Sequence, residues 1–352
     1  MWLKNIRSTT LRYYINKIRD TLSQFESIQR LFKGSGVIVM LHRIAPFEDK
    51  LSPNEAMKVS PEFLESFIIQ ALDLKYHFLS LDELYDGLLH NNLPEYFICF
   101  TIDDGYKDNL TFGYPIFAKY NIPFCIYICT SFPESSHNMW WFALEDHLLT
   151  HDNITYKNAE YDISTKALKE AMFLTMRADI ITQIDSYENC KQTLENFGIF
   201  YNPRDYDNLT LSWEDIAFLH TQKLENTSKN TLGGGQRQLC TIGCHTHSHP
   251  IFNNLSNDEI AQDIAKAQKL FLQNLHFTPT HFAYPFGSRV EVSPHHFSLI
   301  QNLGFKTATT TRHGSIYPQH TKSLHALPRV FFSENFMLES AFKIRKQRIV
   351  TA

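Results

Sequence analysis

Short, unbroken apolar runs recur along the chain, and each is closed by polar residues. Val37-Ile38-Val39-Met40-Leu41 follows Gly34-Ser35-Gly36 and ends at His42. Phe97–Ile102, Phe124–Cys129, Leu239–Ile242 and Phe282–Tyr284 repeat the pattern, and the more polar Lys306–Thr310 also reads as a strand. Runs this short and continuous predict strands buried on both faces. Helical signals lie between them. Ser60-Pro61 places a capping hydroxyl before a proline at the first helical position, and Phe63, Phe67, Ala71 and Leu74 then share one face. Pro115–Tyr120 reads as helical. Ser256 and Glu259 form a capping box for a helix with Ile260, Ile264 and Leu270 or Phe271 inside. This alternation, with polar residues at the C-terminal ends of the strands, predicts an α/β barrel or a doubly wound sheet. The rhythm breaks between about 138 and 238, where Trp140-Trp141, helical stretches and a loose Asn226–Gln238 segment with Gly233-Gly234-Gly235 occur. No internal repeat is present.

Composition narrows the class. The chain has 352 residues, 43% hydrophobic and 20% charged, enough to bury a large core and incompatible with disorder or a collagen-like chain. A net charge of −4 argues against a nucleic-acid partner. The cysteines Cys99, Cys125, Cys129, Cys190, Cys240 and Cys244 contain no CxxC pair. A large core needs no disulfides, so reduced thiols and a cytoplasmic setting are expected. The first residues lack the apolar stretch of a secretory signal, and no apolar run approaches the roughly 20 residues that span a bilayer. Residues 1–33 carry a positive excess, with Ile6, Leu11, Tyr14, Ile15, Ile18, Leu22 and Phe25 near helical spacing. Two readings stand: a helix packed on its own domain, or a basic amphipathic helix making peripheral contact with the inner membrane face.

Candidate chemistry sits at two strand ends. In His245-Thr246-His247-Ser248-His249-Pro250, His245 and His249 are four residues apart and can face one ion together. Zn2+ suits imidazole nitrogen plus one carboxylate, with a position left open for water. Alone, the pattern also describes a histidine-rich surface loop. Asp103-Asp104 follows a buried strand within Thr101-Ile102-Asp103-Asp104-Gly105. Two adjacent carboxylates there are costly to gather without a cation or proton between them, although Asp-Gly is also a common turn.

Taken together, these residues resemble the polysaccharide deacetylase family, the NodB-like carbohydrate esterases of the family 4 type. Thr101–Gly105 is similar to the family's T-F-D-D-G motif, with Ile102 in place of Phe. His245–Pro250 is similar to H-[ST]-x-x-H-P, and Phe282-Ala283-Tyr284-Pro285-Phe286-Gly287 to the third motif of a large branch. Met40-Leu41-His42-Arg43 and Leu327-Pro328-Arg329-Val330 sit where that branch has similar segments. The resemblance covers roughly residues 36–135 and 210–332.

The resemblance implies a distorted (β/α)7 barrel over residues 34–345, interrupted by a largely helical insertion at about 138–238, after an N-terminal segment 1–33. It implies a divalent metal, Zn2+ or alternatively Co2+, held by Asp104, His245 and His249. Asp103 would be the general base, and the Phe286 N–H would donate to the oxyanion. The chain departs from the family in three ways. Ala283 stands where an arginine usually orients the base, so Arg329 is the candidate for that task. The usual L-x-H acid motif is absent, which makes His325 the candidate acid. Asp104 and His245 are 141 positions apart, longer than the family's habit. His42, Tyr284, Phe286, Trp140 and Trp141 are expected to line the substrate pocket; the tryptophans serve equally as anchors for the inserted helices.

The implied activity is removal of N-acetyl groups from an amino-sugar glycan or precursor: an oligosaccharide, or a lipid- or nucleotide-linked sugar in surface polysaccharide biosynthesis. A deformylase or other small-amide hydrolase is the alternative within the class. A catalytically silent glycan-binding protein is the alternative outside it.

Overall fold

The computed structural model describes residues 34–183, 187–225 and 237–336. The basic segment expected over residues 1–33 lies outside them, as do residues 337–345 and most of the loose 226–238 stretch. Seven parallel strands carry the fold: β1 (Gly36–Leu41), β2 (Phe97–Ile102), β3 (Phe124–Ile128), β4 (Cys240–Cys244), β5 (His281–Ala283), β6 (Thr307–His313) and β7 (Leu327–Phe331). Each pairs with the next in chain order, and β7 pairs back onto β1, so the sheet closes into the expected (β/α)7 barrel. The short strand His77–Phe78 adds to the first residues of β2, on the edge that β3 occupies further along.

The strands are apolar on both faces because both faces are covered. Val37, Val39, Ile98, Phe100, Ile102, Phe124 and Ile126 join the large core shared with the surrounding helices. Ile38, Phe97, Cys99, Cys125, Tyr127 and Leu327 point the other way, into the barrel. That inner cluster continues into Leu81, Leu84 and Leu88 of helix α2 (Leu81–Leu89), which follows α1 (Pro61–Asp73). Ser60 caps α1 by accepting from the Phe63 N–H, and Ser80 and Glu83 form a capping box on α2. The remaining barrel helices are α3 (Tyr114–Lys119), α7 (Trp213–Thr221), α8 (Asn257–Leu275) and α9 (Pro294–Asn302). The expected Ser256/Glu259 capping box is present on α8.

Between β3 and β4 the chain leaves the barrel. Helices α4 (Trp140–Thr150), α5 (Lys166–Gln183) and α6 (Tyr187–Asn196), with the hairpin Asn153–Tyr156/Ala159–Asp162, enclose a second apolar core. Leu144, Leu148, Phe173, Met176, Ile180 and Leu194 are central to it. By Leu211 the chain has rejoined the main core, to which Ile216 and Leu219 of α7 belong. All six cysteines are buried and unpaired. Among the described residues, no helix is long and apolar enough to cross a membrane.

Phe100 meets Phe67, Phe117 and Phe332 edge-on and stacks on Phe78 with ring centroids 5.9 Å apart. It is fully buried. Truncation to alanine leaves a cavity walled by rings that are themselves fixed, so Phe100→Ala is expected to cost about 3–5 kcal/mol of stability. Urea unfolding monitored by circular dichroism measures this; a loss below about 1 kcal/mol would contradict the packing described.

Candidate active site

Strand register decides where the chemistry lies. Leu41 pairs with Ile102, and Ile128 with Cys244. His42, Asp103-Asp104 and His245 therefore leave their strands at one rim of the barrel. The loops there are tightly turned. Asp104, Thr246, His249 and Phe286 all have positive φ (78°, 71°, 58° and 58°), a region that side-chain-bearing residues rarely adopt and that concentrates at functional sites. Backbone bonds hold these turns. The Cys129 N–H donates to Asp104 O, the His245 N–H to Ile128 O, and the Thr130 and Ser131 N–H groups to Thr246 O and His247 O.

Asp104, His245 and His249 converge, each offering a ligand atom within 4.8 Å of the others. His245 Nδ1 is 2.8 Å from the Ala283 carbonyl, which can only accept, so Nδ1 carries the proton and Nε2 presents its lone pair. Asp104 Oδ1 lies 3.3 Å from that Nε2 and 3.5 Å from His249 Nε2. The same oxygen is buried and has no hydrogen-bond partner. Lone pairs of a carboxylate and two imidazoles facing one another in a largely buried site call for a positive charge between them. Two nitrogens and one oxygen suit a zinc-like divalent ion with a coordination position to spare, so the residues fit the metal that the motifs imply. Burial pushes Asp104 upward, but His249, His245 and His42 outweigh it and hold the carboxyl well below its usual range. Burial drives His249 down to about 4, which keeps its ring neutral and able to ligate. His245 is raised, because Asp104 and Asp103 overcome its desolvation.

Asp103 points into the barrel, on the same side as Thr101. Arg329 of β7 meets it with both terminal nitrogens, 2.6 Å to Oδ1 and 2.7 Å to Oδ2. The guanidinium also donates to the Thr310 carbonyl and to Thr101 Oγ1, and it is 1% exposed. Burial raises the Asp103 pKa, but the Arg329 charge and hydrogen bonds bring it below the ordinary value. His42 Nε2 lies 4.0 Å from Asp103 Oδ2, and His42 Nδ1 is buried without a partner. Burial lowers its pKa.

A cavity of about 520 Å³ opens over this rim and takes in His42, Asp103, Asp104, His245, His249, Trp140, Trp141 and Phe286 from the sequence reading. Two expected residues are elsewhere. His325 Nε2 is bound to the Phe305 carbonyl at 2.7 Å, in a 3-10 turn (Leu324–Ala326) that does not line the cavity. Tyr284 is fully buried behind it, its hydroxyl donating to the His325 carbonyl. His325 is thus corrected from acid to a structural residue, and Tyr284 from substrate contact to core. The inward/outward alternation of β5 explains the latter: Ala283 faces the barrel interior, and Tyr284 packs with Phe252, Phe282 and Phe297.

Sequence reading missed several lining residues. Tyr106 lies two residues after Asp104 and under Arg43, whose guanidinium is 5.2 Å from its ring and 2.7 Å from Asp108. Proximity to the motif was the available signal. Phe142, Phe173, Leu174 and Arg177 come from the insertion, where no spacing in the sequence points to a pocket.

Comparison with known proteins bears on the fold. Residues 212–308 match the family model described as polysaccharide deacetylase, a segment that includes His245, His249 and Phe286 but not the aspartate pair. No curated protein matches the chain in sequence. Among solved structures, the chain is similar to the Streptococcus pyogenes deacetylase PplD in complex with acetate, at 18% identity and a TM-score of 0.53, covering 86% of this chain and 94% of that one. It is also similar to IcaB from Ammonifex degensii (16%, 0.51, covering 85% and 92%). A third likeness is to BC0361, a polysaccharide deacetylase from Bacillus cereus (15%, 0.51, covering 88% and 69%). By closed seven-strand topology and by the matched segment, this chain has the NodB-type (β/α)7 barrel and carries a polysaccharide deacetylase domain match over residues 212–308.

Proposed function

We propose that this protein is a metal-dependent hydrolase that removes an N-acetyl group from an amino sugar. One observation carries the reading: a buried, unpartnered Asp104 oxygen between two imidazoles, beside a second carboxylate held ionised by a buried arginine. A silent binding site would need the first group of residues but not the second.

A divalent cation bound by Asp104, His245 and His249 would lower the pKa of water to about 7 and polarise an amide carbonyl. Zn2+ suits the ligand set, and Co2+ is an alternative. The chain's own residues do the proton work. Asp103, oriented by Arg329, takes the proton from the attacking water as the water oxygen bonds to the acetamido carbon. The Phe286 N–H, which has no hydrogen-bond partner among the described residues, donates to the oxygen that gathers negative charge. As the carbon–nitrogen bond breaks, the nitrogen must gain a proton. His42 is the cavity histidine outside the ligand set and is placed to hold it. The products are acetate and a free amine on the sugar. The wall that the insertion raises beside the rim favours a short glycan or a lipid- or nucleotide-linked sugar, as used in surface polysaccharide assembly, over a long polymer in an open groove.

Acetate release from N-acetylated amino sugars, with Zn2+ or Co2+ supplied, tests the activity. Protein fully loaded with metal yet releasing no acetate from any of them would sink the proposal. His245→Ala is expected to abolish metal retention, read by elemental analysis after dialysis. Asp103→Asn should retain the ion and lose turnover. His42→Gln should keep the metal while kcat falls by about 10²–10⁴; an unchanged kcat would remove His42 from the mechanism. Arg329→Met leaves Asp103 buried without its counter-charge and is expected to cost about 3–5 kcal/mol in urea unfolding. Undiminished stability would show that the pair does not hold the base.

A further inference from the structure

The outer half of the cavity differs in chemistry from the rim. Apart from Arg43, it is built by the short helix Ser52–Glu55 with the turn after it and by the insertion: Pro53, Met57, Trp141, Phe142, Phe173 and Leu174, with Asn54. Little there can read the hydroxyls of a neutral glycan. The Asn54 Nδ2 already donates to the Trp141 carbonyl. No carboxylate lines this half. Of the two cations that do, Arg43 is neutralised by Asp108 at 2.7 Å and is half of a buried stack with Tyr106. The other is Arg177. It lies on α5, three and four residues after Leu174 and Phe173, so all three share one helical face toward the cavity. Arg177 is exposed, and it has no ion pair among the described residues. The other cations of α5 differ: Lys166 pairs with Asp49, and Lys169 donates to the Leu148 carbonyl.

We infer that Arg177 is a specificity-determining residue that binds an anionic substituent of the sugar, a phosphate or carboxylate, while Leu174, Met57 and Trp141 cover an apolar part of the same substrate. This rests on the deacetylase reading and names the substrate class of that site. A guanidinium with no ion pair among the described residues, on a largely apolar wall, offers a planar fork of donors, which suits a tetrahedral or planar oxyanion better than a hydroxyl. Phosphate is the group that lipid- and nucleotide-linked sugars have in common, so one arginine would serve both.

The test compares three substrates with the full-length, zinc-loaded protein: N-acetylglucosamine 1-phosphate, the methyl glycoside of N-acetylmuramic acid, and neutral methyl N-acetylglucosaminide. The wild-type protein is expected to favour an anionic sugar over the neutral one by about tenfold or more in kcat/KM at low salt, through KM. The preferred anion identifies the source as phosphate or carboxylate. In Arg177→Gln the ratio should fall to about one, in Arg177→Glu it should invert, and Arg177→Lys should restore part of it. A wild-type ratio near one, or equal losses on all three substrates in Arg177→Gln, would overturn the inference. If no substrate releases acetate, the deacetylase reading fails on its own. Calorimetric binding of N-acetylglucosamine 1-phosphate to wild-type and Arg177→Gln protein then decides this inference: binding that needs Arg177 supports it, and binding that is absent or indifferent to the substitution refutes it.

Discussion

A guanidinium and a carboxylate face each other inside the barrel mouth, both almost wholly removed from water. Taking two charges into such a place is costly, and their attraction offsets the cost only when the geometry is good and the remaining hydrogens find acceptors. The geometry is bidentate, and four of the five guanidinium hydrogens have acceptors. Arg329 gives one hydrogen bond to each Asp103 oxygen, and two further donors reach the Thr310 carbonyl and Thr101 Oγ1. The arrangement joins β7, β6 and β2 from within. It coincides with the one interruption in β6–β7 pairing, between Thr309 and His313, where the Thr310 carbonyl turns to the arginine.

That constraint divides the labour of two neighbouring carboxylates. Asp103 continues the inward face of β2 set by Cys99 and Thr101, so it meets Arg329. Asp104, at φ 78°, turns out of the strand and meets the imidazoles. Identical side chains one residue apart thus have opposite surroundings: a permanent cation for one, and ligand lone pairs for the other. Gly105 follows at φ 100°, packed on Ile128, where a side chain would be strained.

Much of this was legible in the sequence because it is local. Unbroken apolar runs gave away strands covered on both faces, and Ser-Pro and Ser-x-x-Glu gave away the starts of α1 and α8. The convergence of Asp104 with His245 and His249 was legible only through motif resemblance, since 141 positions separate the first two. β7 is not legible as a strand in the sequence, because Leu327-Pro328-Arg329 mixes a proline and a charge into it. Its arginine is tolerated there only because Asp103 waits across the barrel. His325 was misjudged for a related reason. A histidine near a strand start looks available in one dimension, whereas the fold gives its Nε2 to the Phe305 carbonyl. The cavity wall was illegible because its residues belong to helices whose apolar positions serve two purposes, a core on one side and a pocket on the other.

The inserted helices leave from the end of β3, and the chain regains the barrel core before β4. They enclose a core of their own, and the β3–β4 pairing from Phe124–Cys240 to Ile128–Cys244 continues beneath them without interruption. A wall attached in this way is free to diverge away from the rim: its outer sequence and length can drift while the strand pairing below is kept, provided that the residues touching the rim, Trp141 against His249 and Phe142 against Tyr106, hold their places. The barrel then acts as a fixed chassis, and the shape of the cavity mouth becomes a property of the part added to it.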